Sequence, residues 1–362
     1  MKSIFKISIV VIAFFAIQQV KSQNSDKIIV ITIDGLRWQE LFGGADSLLI
    51  NNKQFVNNPE ELNELFWADS EKERRESLLP FLWNYAAKNG AILGNRWEKN
   101  KVNLKNKMVF SYPGYNEILT GHPDDQRINS NQKINNPNVT ILEIANKSED
   151  YKDKVLAFGS WDVFPYIINE ERSGVPVNAG YSMSLAKKPS DKELYLNRIQ
   201  EQTPRRWGSV RFDVFTHNYA LEALKNQKPD LLYVAYGETD DFAHDGRYDQ
   251  YLKSAKRTDQ FLKEIWDFIS VDPYYKDKTT MLLTTDHGRG QGIEDHNSWR
   301  SHGSSIPEAD QTWFIGLGKQ IRPINEQKEN KQYYTTQFAP TIAKILNLKF
   351  ESEDGPLPIL KD

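Results

Sequence analysis

The chain has 362 residues, with 46 Lys plus Arg against 49 Asp plus Glu, six His and no Cys. Hydrophobic residues at 39% and aromatic residues at 12% suffice for a sizeable core, which excludes an intrinsically disordered chain. The missing cysteines exclude a disulfide framework, a thiolate zinc site, a cysteine nucleophile and a lipid anchored through an N-terminal Cys, and the near-neutral charge leaves no electrostatic footprint for a nucleic-acid polymer.

In chain order, Lys2 and Lys6 precede an apolar run over residues 7–17, and Val20-Lys21-Ser22 follows. This three-part plan predicts a cleaved signal peptide over residues 1–22 and a secreted or periplasmic protein. The run is too short to be a permanent membrane span. Removing Lys2, Lys6 and Lys21 moves the net charge from −3 to −6. Residues 23–362 read as one domain.

Three short unbroken apolar runs end in acidic residues. KIIVITI (27–33) leads into Asp34-Gly35, LLYVAY (231–236) into Gly237-Glu238-Thr239-Asp240, and TMLLTT (280–285) into Asp286-His287-Gly288. Runs of this kind are strands buried on both faces, as in a parallel sheet. Further strands are expected at 107–110, 155–158 and 312–317. Helical spacing covers 74–89, 210–225, 248–269 and 335–346. Strands alternating with helices predict a doubly wound α/β/α sandwich, in which ligands bind beyond the carboxyl ends of the strands. Residues 123–204, rich in Asn, Asp, Pro and Lys, read partly as an excursion over the active-site face that sets substrate choice.

Asp240 and His244 fall on one side of a helical turn, and neutral imidazole with carboxylate makes an ordinary zinc donor set. Asp241 is an alternative to Asp240. Asp286-His287-Gly288 leaves a strand, so a turn at Gly288 brings both side chains toward one ion. His302-Gly303 follows, with His296 as a competitor. Together Asp34, Asp240, His244, Asp286, His287 and His302 supply six N/O donors, the inventory for two zinc-like ions with positions left open for substrate. Ser111 lies at the N-terminal end of the helix begun by Tyr112-Pro113, where backbone N–H groups and the helix dipole favour an anion. Its hydroxyl needs a metal or a base to become an attacking group.

These segments resemble the alkaline phosphatase superfamily, and within it the type I phosphodiesterase/nucleotide pyrophosphatase branch. The likeness rests on Ile31 to Arg37, Phe110-Ser111-Tyr112-Pro113 through Gly121, Glu238 to His244, Thr285 to Gly288, Ser301-His302-Gly303 and the late Phe338-Ala339-Pro340-Thr341-Ile342 helix. It implies the superfamily's α/β/α fold. It further implies that Asp240, His244 and His302 hold one divalent ion, and that Asp34, Asp286 and His287 hold a second, with Ser111 as metal-bridging nucleophile. Zinc is the implied metal, a phosphoserine the implied intermediate, and a small-molecule or glycan phosphate ester the implied substrate. An Asn about twenty residues past the nucleophile touches a substrate oxygen in the family. Asn131 falls there, with Asn129 as fallback. Tyr112 and Arg37, beside the nucleophile and the first acid, complete the candidate substrate contacts.

Two departures bear on specificity. Sulfatases of this fold convert the Cys or Ser of a Cys/Ser-x-Pro-x-Arg motif to formylglycine. Here Ser111 and Pro113 fit, but Tyr115 replaces the Arg. Phosphodiesterases of the branch usually carry Thr, with Asn after the Pro, where this chain has Ser111 and Gly114, so monoester against diester preference is open. Arg37, Arg289 and Arg300 are candidate partners for the extra charge of a monoester. The rival of another class is a non-catalytic surface- or carbohydrate-binding protein, suggested by nine Trp and 16 Tyr. No oligomeric interface is legible.

Overall fold

A computed structural model describes residues 26–292 and 295–361, so the signal peptide expected over 1–22 lies outside the described residues. Strands β1 (Lys27–Ile33), β2 (Gly90–Leu93), β3 (Asn100–Asn103), β4 (Val155–Gly159), β5 (Val177–Ala179), β6 (Leu231–Tyr236), β7 (Thr279–Thr284), β8 (Gln311–Thr312), β9 (Phe314–Gly318), β10 (Asn325–Glu326) and β11 (Lys331–Tyr334) form two sheets. The larger runs β10-β2-β9-β7-β1-β6-β4-β5, and the smaller β11-β3-β8. In the larger sheet β7, β1, β6, β4 and β5 are parallel, and β9 alone is reversed, pairing antiparallel with β7 and β2.

The unbroken apolar runs have a direct cause. Ile29, Ile31 and Ile33 of β1 enter a core against the Asp213–Asn226 and Tyr248–Val271 helices. Ile28 and Val30 enter a second core against Ser111–Thr120, Ile141–Lys147 and Phe338–Ile345. A strand covered on both faces has no solvent side on which to place polar residues. The result is the three-layer α/β/α sandwich expected from the sequence.

The registers place the site. Ile33 pairs with Tyr236, and Thr32 with Thr284, so β7, β1 and β6 end side by side. Asp34, the Gly237–Asp240 turn and Asp286 therefore emerge at one edge.

Three expected elements differ in detail. The 74–89 helix is broken: Glu71–Leu78 ends at Leu79 (φ −127°), and a π-turn over Leu82–Ala86 follows. Pro80 disfavours helical dihedrals at the residue before it and brings no N–H of its own. Residues 107–110 are not a strand but a bend with Val109 at φ +55°. The backbone N–H groups of Lys107 and Val109 donate to the Asp125 and Asn106 side chains, so neither is available to a sheet partner. Segment 123–204 is only partly an excursion, because it carries β4 and β5 of the sheet itself. Among the described residues no helix is long and apolar enough to cross a membrane.

Candidate functional site

Ser111 opens the buried Ser111–Thr120 helix, with Phe110 as its N-cap. That helix meets the end of β7 closely: a Cβ on Gly114 would lie 2.2 Å from the Asp286 carbonyl oxygen, so only glycine lets the nucleophile approach. Gly35, at φ +58°, makes the turn after Asp34, and a Cβ there would lie 2.9 Å from Asp240 Oδ1. Thr239 donates its hydroxyl to the Asp34 carbonyl, tying the β1 and β6 ends together. Asp213 and Glu238 cap each other's helices, since each backbone N–H donates to the other's carboxylate, at 3.0 and 3.1 Å. This reciprocal pair fixes the Glu238–His244 helix that carries Asp240 and His244.

At this edge the donor atoms converge. His287 is buried, and its Nδ1 lies 2.9 Å from the Gly288 carbonyl, which assigns the proton to Nδ1 and leaves a lone pair on Nε2. That Nε2 lies 3.3 Å from Asp34 Oδ1, 3.5 Å from Asp286 Oδ2 and 3.3 Å from Ser111 Oγ. Asp34 Oδ1 and Asp286 Oδ2 are buried without a hydrogen-bond partner. A lone pair facing two orphaned carboxylate oxygens is repulsive unless a cation sits between them. Donors bound at ~2.0 Å to one tetrahedral ion stand about 3.3 Å apart, so the spacing suits a zinc-sized ion.

The second group adjoins it. His244 Nε2 lies 3.2 Å from Asp240 Oδ2 and 3.0 Å from His302 Nε2, and His302 Nε2 lies 3.7 Å from Asp240 Oδ1. Asp240, His287 and His302 also form a set able to share one ion, so His287 stands between the two groups, its ring stacked 3.9 Å from that of His302. Burial, then Asp240, push the Asp34 carboxyl well above the carboxylate range, and burial, then Asp34, do the same to Asp286. Burial, then His287, hold His302 well below the imidazole range, in the neutral form a ligand requires. For Asp240, burial is outweighed by Arg289 and His244, and its carboxyl falls well below the usual range. The three carboxylates cannot share this edge as anions without added positive charge.

The geometry separates the alternatives left by the sequence. Asp240 joins the cluster, whereas Asp241 stays outside it, its carboxyl pushed up to about 9 by burial and then by Asp240. His302 joins it, whereas His296 belongs to neither group and bonds the Gly292 carbonyl through Nδ1. Asn131 lies beside the nucleophile, its Oδ1 accepting from the Tyr112 N–H at 3.0 Å. Asn129 bonds the Gln126 carbonyl instead.

Two expected substrate contacts are corrected. The Tyr112 side chain is buried, and its hydroxyl donates to the Ile134 carbonyl at 2.6 Å, so it anchors the Asn131 loop from below. Arg37 is fully buried, with a fork onto Glu40 and Nη1 donating to the Gly290 and Gln291 carbonyls, which leaves it no face toward substrate. Arg289 is likewise engaged, by Asp240 and the Trp299 carbonyl, and Arg300 donates to the His244 carbonyl.

Sequence reasoning missed the supports. Tyr115 donates its hydroxyl to Asp34 Oδ2 at 2.9 Å, filling from inside the place where a formylglycine motif has Arg. Its only signal was the mismatch to that motif. The Asp213–Glu238 pair had no signal, since its members lie on separate elements.

The family model described as the Metalloenzyme superfamily matches residues 213–349, a stretch that holds Asp240, His244, Asp286, His287 and His302 but not Asp34 or Ser111. A 2,3-bisphosphoglycerate-independent phosphoglycerate mutase of Pseudomonas fluorescens is 26% identical over 133 residues, 37% of this chain. The chain spans about a quarter of the length of the curated relatives it matches. Among solved structures, the alkaline phosphatase PafA is similar at TM-score 0.58 and 10% identity, covering 92% of this chain and 98% of that one. Murine ectonucleotide pyrophosphatase/phosphodiesterase 5 is similar at TM-score 0.55 and 12% identity, covering 93% of this chain and 100% of the other.

Proposed function

From the premise that the chain belongs by fold to the alkaline phosphatase superfamily, we propose that it is an exported, metal-dependent hydrolase of phosphate esters with Ser111 as nucleophile. The observation that carries this reading is the position of Ser111 Oγ, 3.3 Å from His287 Nε2, at the mouth of the orphaned carboxylates of Asp34 and Asp286. Two divalent cations, with zinc suiting the mixed imidazole and carboxylate donor sets, would be held by Asp34, Asp286 and His287 and by Asp240, His244 and His302, and would supply the charge that activates a hydroxyl and steadies a leaving oxygen.

The chain's own residues account for the rest. Ser111 Oγ gives up its proton to solvent and attacks phosphorus in line; the serine–phosphorus bond forms, the bond to the leaving-group oxygen breaks, and that oxygen takes a proton from solvent. Water then cleaves the phosphoserine, returning the hydroxyl to Ser111 and releasing the phosphate product. The N-terminus of the Ser111–Thr120 helix directs its positive end at the oxygens that carry the growing charge. Asn131, with its Oδ1 tied to the Tyr112 N–H, keeps its amide N–H groups for a non-bridging oxygen of the substrate.

A diester is the preferred substrate within this reading. Arg37, Arg289 and Arg300, the cations nearest the motifs, are engaged internally and do not pair with the second charge of a monoester. The buried Tyr115 in place of a motif arginine speaks against formylglycine formation and so against sulfate esters. Nothing in the neutral charge balance supports a nucleic-acid polymer as partner.

The test is a side-by-side rate comparison on bis(4-nitrophenyl) phosphate, 4-nitrophenyl phosphate and 4-nitrophenyl sulfate, with and without zinc. The expected order is diester first and sulfate last. Ser111→Ala is expected to lower kcat at least ~10³-fold while metal content stays unchanged. Near-wild-type turnover by Ser111→Ala would refute the covalent route.

A further inference from the structure

Along the Trp38–Gly43 helix lies a cavity of about 230 Å³ that the mechanism above does not use. Its walls include Trp38, Gln39, Asp46, Arg74, Trp97 and Gln291. Trp38 and Trp97 meet edge to face, with centroids 4.7 Å apart and planes at 64°, and Trp97 is 51% exposed. The corner depends on Gly43, where a Cβ would lie 2.7 Å from the Trp97 ring.

We infer that this cavity is a subsite for a neutral saccharide ring, so that the ester cleaved at Ser111 is carried on a glycan. The inference rests on the ester-hydrolase reading for the second clause only. Its size is below the ~300–1,000 Å³ of drug-sized ligands and suits a single ring. An indole face offers a platform for the C–H face of a pyranose, while the Asp46 and Glu71 carboxylates on the walls can accept from hydroxyls at the ring edge. The L-shaped aromatic corner lacks the two parallel faces that would sandwich a flat base. Its charges also disfavour an anion: Glu71 and Asp46 line it against one guanidinium, and Arg74 is already engaged by the Gly43 and Ala68 carbonyls.

The position ties the cavity to the chemistry. Trp38 begins its helix four residues after Asp34, and its Nε1 donates to Gln311 Oε1 at 2.7 Å. Gln311 in turn packs on Gly288, where a Cβ would meet its carbonyl at 2.3 Å. Gln291 on the cavity wall is four residues past His287, at most ~14 Å of extended chain. A short oligosaccharide spans that distance.

The experiment titrates the full chain with cellohexaose, maltohexaose, xylohexaose and chitohexaose by calorimetry, beside adenosine as control. At least one hexasaccharide is expected to bind in the ~mM range or tighter, with Trp97→Ala weakening it at least ~10-fold. Ser47→Arg, an exposed rim residue, is the second variant; it fills the opening without touching the fold and is expected to weaken binding equally. Turnover of the small aryl esters is expected to stay unchanged in both. Failure of all four sugars to bind, or binding unaltered in both variants, overturns the inference. Adenosine binding that is lost in the same variants overturns the saccharide assignment. If sugars bind at this cavity but no aryl ester is cleaved, the subsite stands and the hydrolase reading falls. If aryl esters are cleaved and no sugar binds, the subsite alone falls.

Discussion

Replacing Tyr115 by Phe tests whether the donor cluster is held in a ligating state from behind. The Tyr115 hydroxyl donates to Asp34 Oδ2 at 2.9 Å, and the other oxygen of that carboxylate has no partner. Burial, then Asp240, drive Asp34 toward its neutral form, and the Tyr115 hydrogen bond opposes them. An ion binds only the carboxylate, so removing a donor to that charged group weakens the metal complex directly. A hydrogen bond to a charged group is worth about 1.5–3 kcal/mol. At 1.36 kcal/mol per decade, this corresponds to metal binding ~10–100-fold weaker, the range found for residues that orient metal ligands. The ring itself still packs edge to face on Phe164 at 4.8 Å, so no cavity opens. The assay is zinc titration against a chromophoric chelator, with circular dichroism to check folding. Affinity within about twofold of wild type would refute the coupling between Tyr115 and the metal group.

Three further outcomes are expected. Arg37→Ala leaves the buried Glu40 carboxylate unpaired and is expected to cost ~3–5 kcal/mol in urea denaturation while KM is unchanged; a raised KM at unaltered stability would return Arg37 to the substrate. Asp259, whose carboxyl accepts from the Phe81 and Leu82 N–H groups, is pushed by burial up to about 6. A carboxyl raised above its unfolded value favours the protonated fold, so its contribution to stability falls as pH rises between about 4 and 6, by ~3 kcal/mol. Asp259→Asn should therefore gain that amount relative to wild type over the same window, and a difference independent of pH would refute the shift. Stripping metal with a chelator should lower Tm by about 5 °C or more, since an ion at a hundred times its Kd contributes ~2.7 kcal/mol; an unchanged Tm would mean that the Asp34 and Asp240 groups hold no ion.

The layers of the fold were legible because they follow from local pattern. β1, β6 and β7 are buried at every position and show no polar–apolar alternation, and a strand with that pattern belongs in the middle of a covered sheet. Five of the six candidate donors were legible for the same reason: Asp34, Asp240, His244, Asp286 and His287 follow the end of such a strand, where an α/β sheet places its ligands, whereas His302 lies on a loop. What pattern did not show was orientation. β9 reads like its neighbours yet runs antiparallel, because direction depends on the connection and not on the strand's own residues. Arg37 and Tyr112 sit beside functional residues in sequence, but adjacent side chains leave the backbone in different directions, and both turned inward.

The sequence by itself determined the alternation of strands and helices, the inventory of donors and the candidate nucleophile, since these depend on residue type and short-range spacing. Only the tertiary structure decided which carboxylates share an edge, which residue of each competing pair joins them, and which supports stand behind them. Tyr115 reaches Asp34 across 81 positions, Ser111 reaches His287 across 176, and Asp286 caps Gly35 across 251. Contacts over such separations are set by the register of parallel strands and by how closely a glycine allows a helix to approach them. No local rule contains that information.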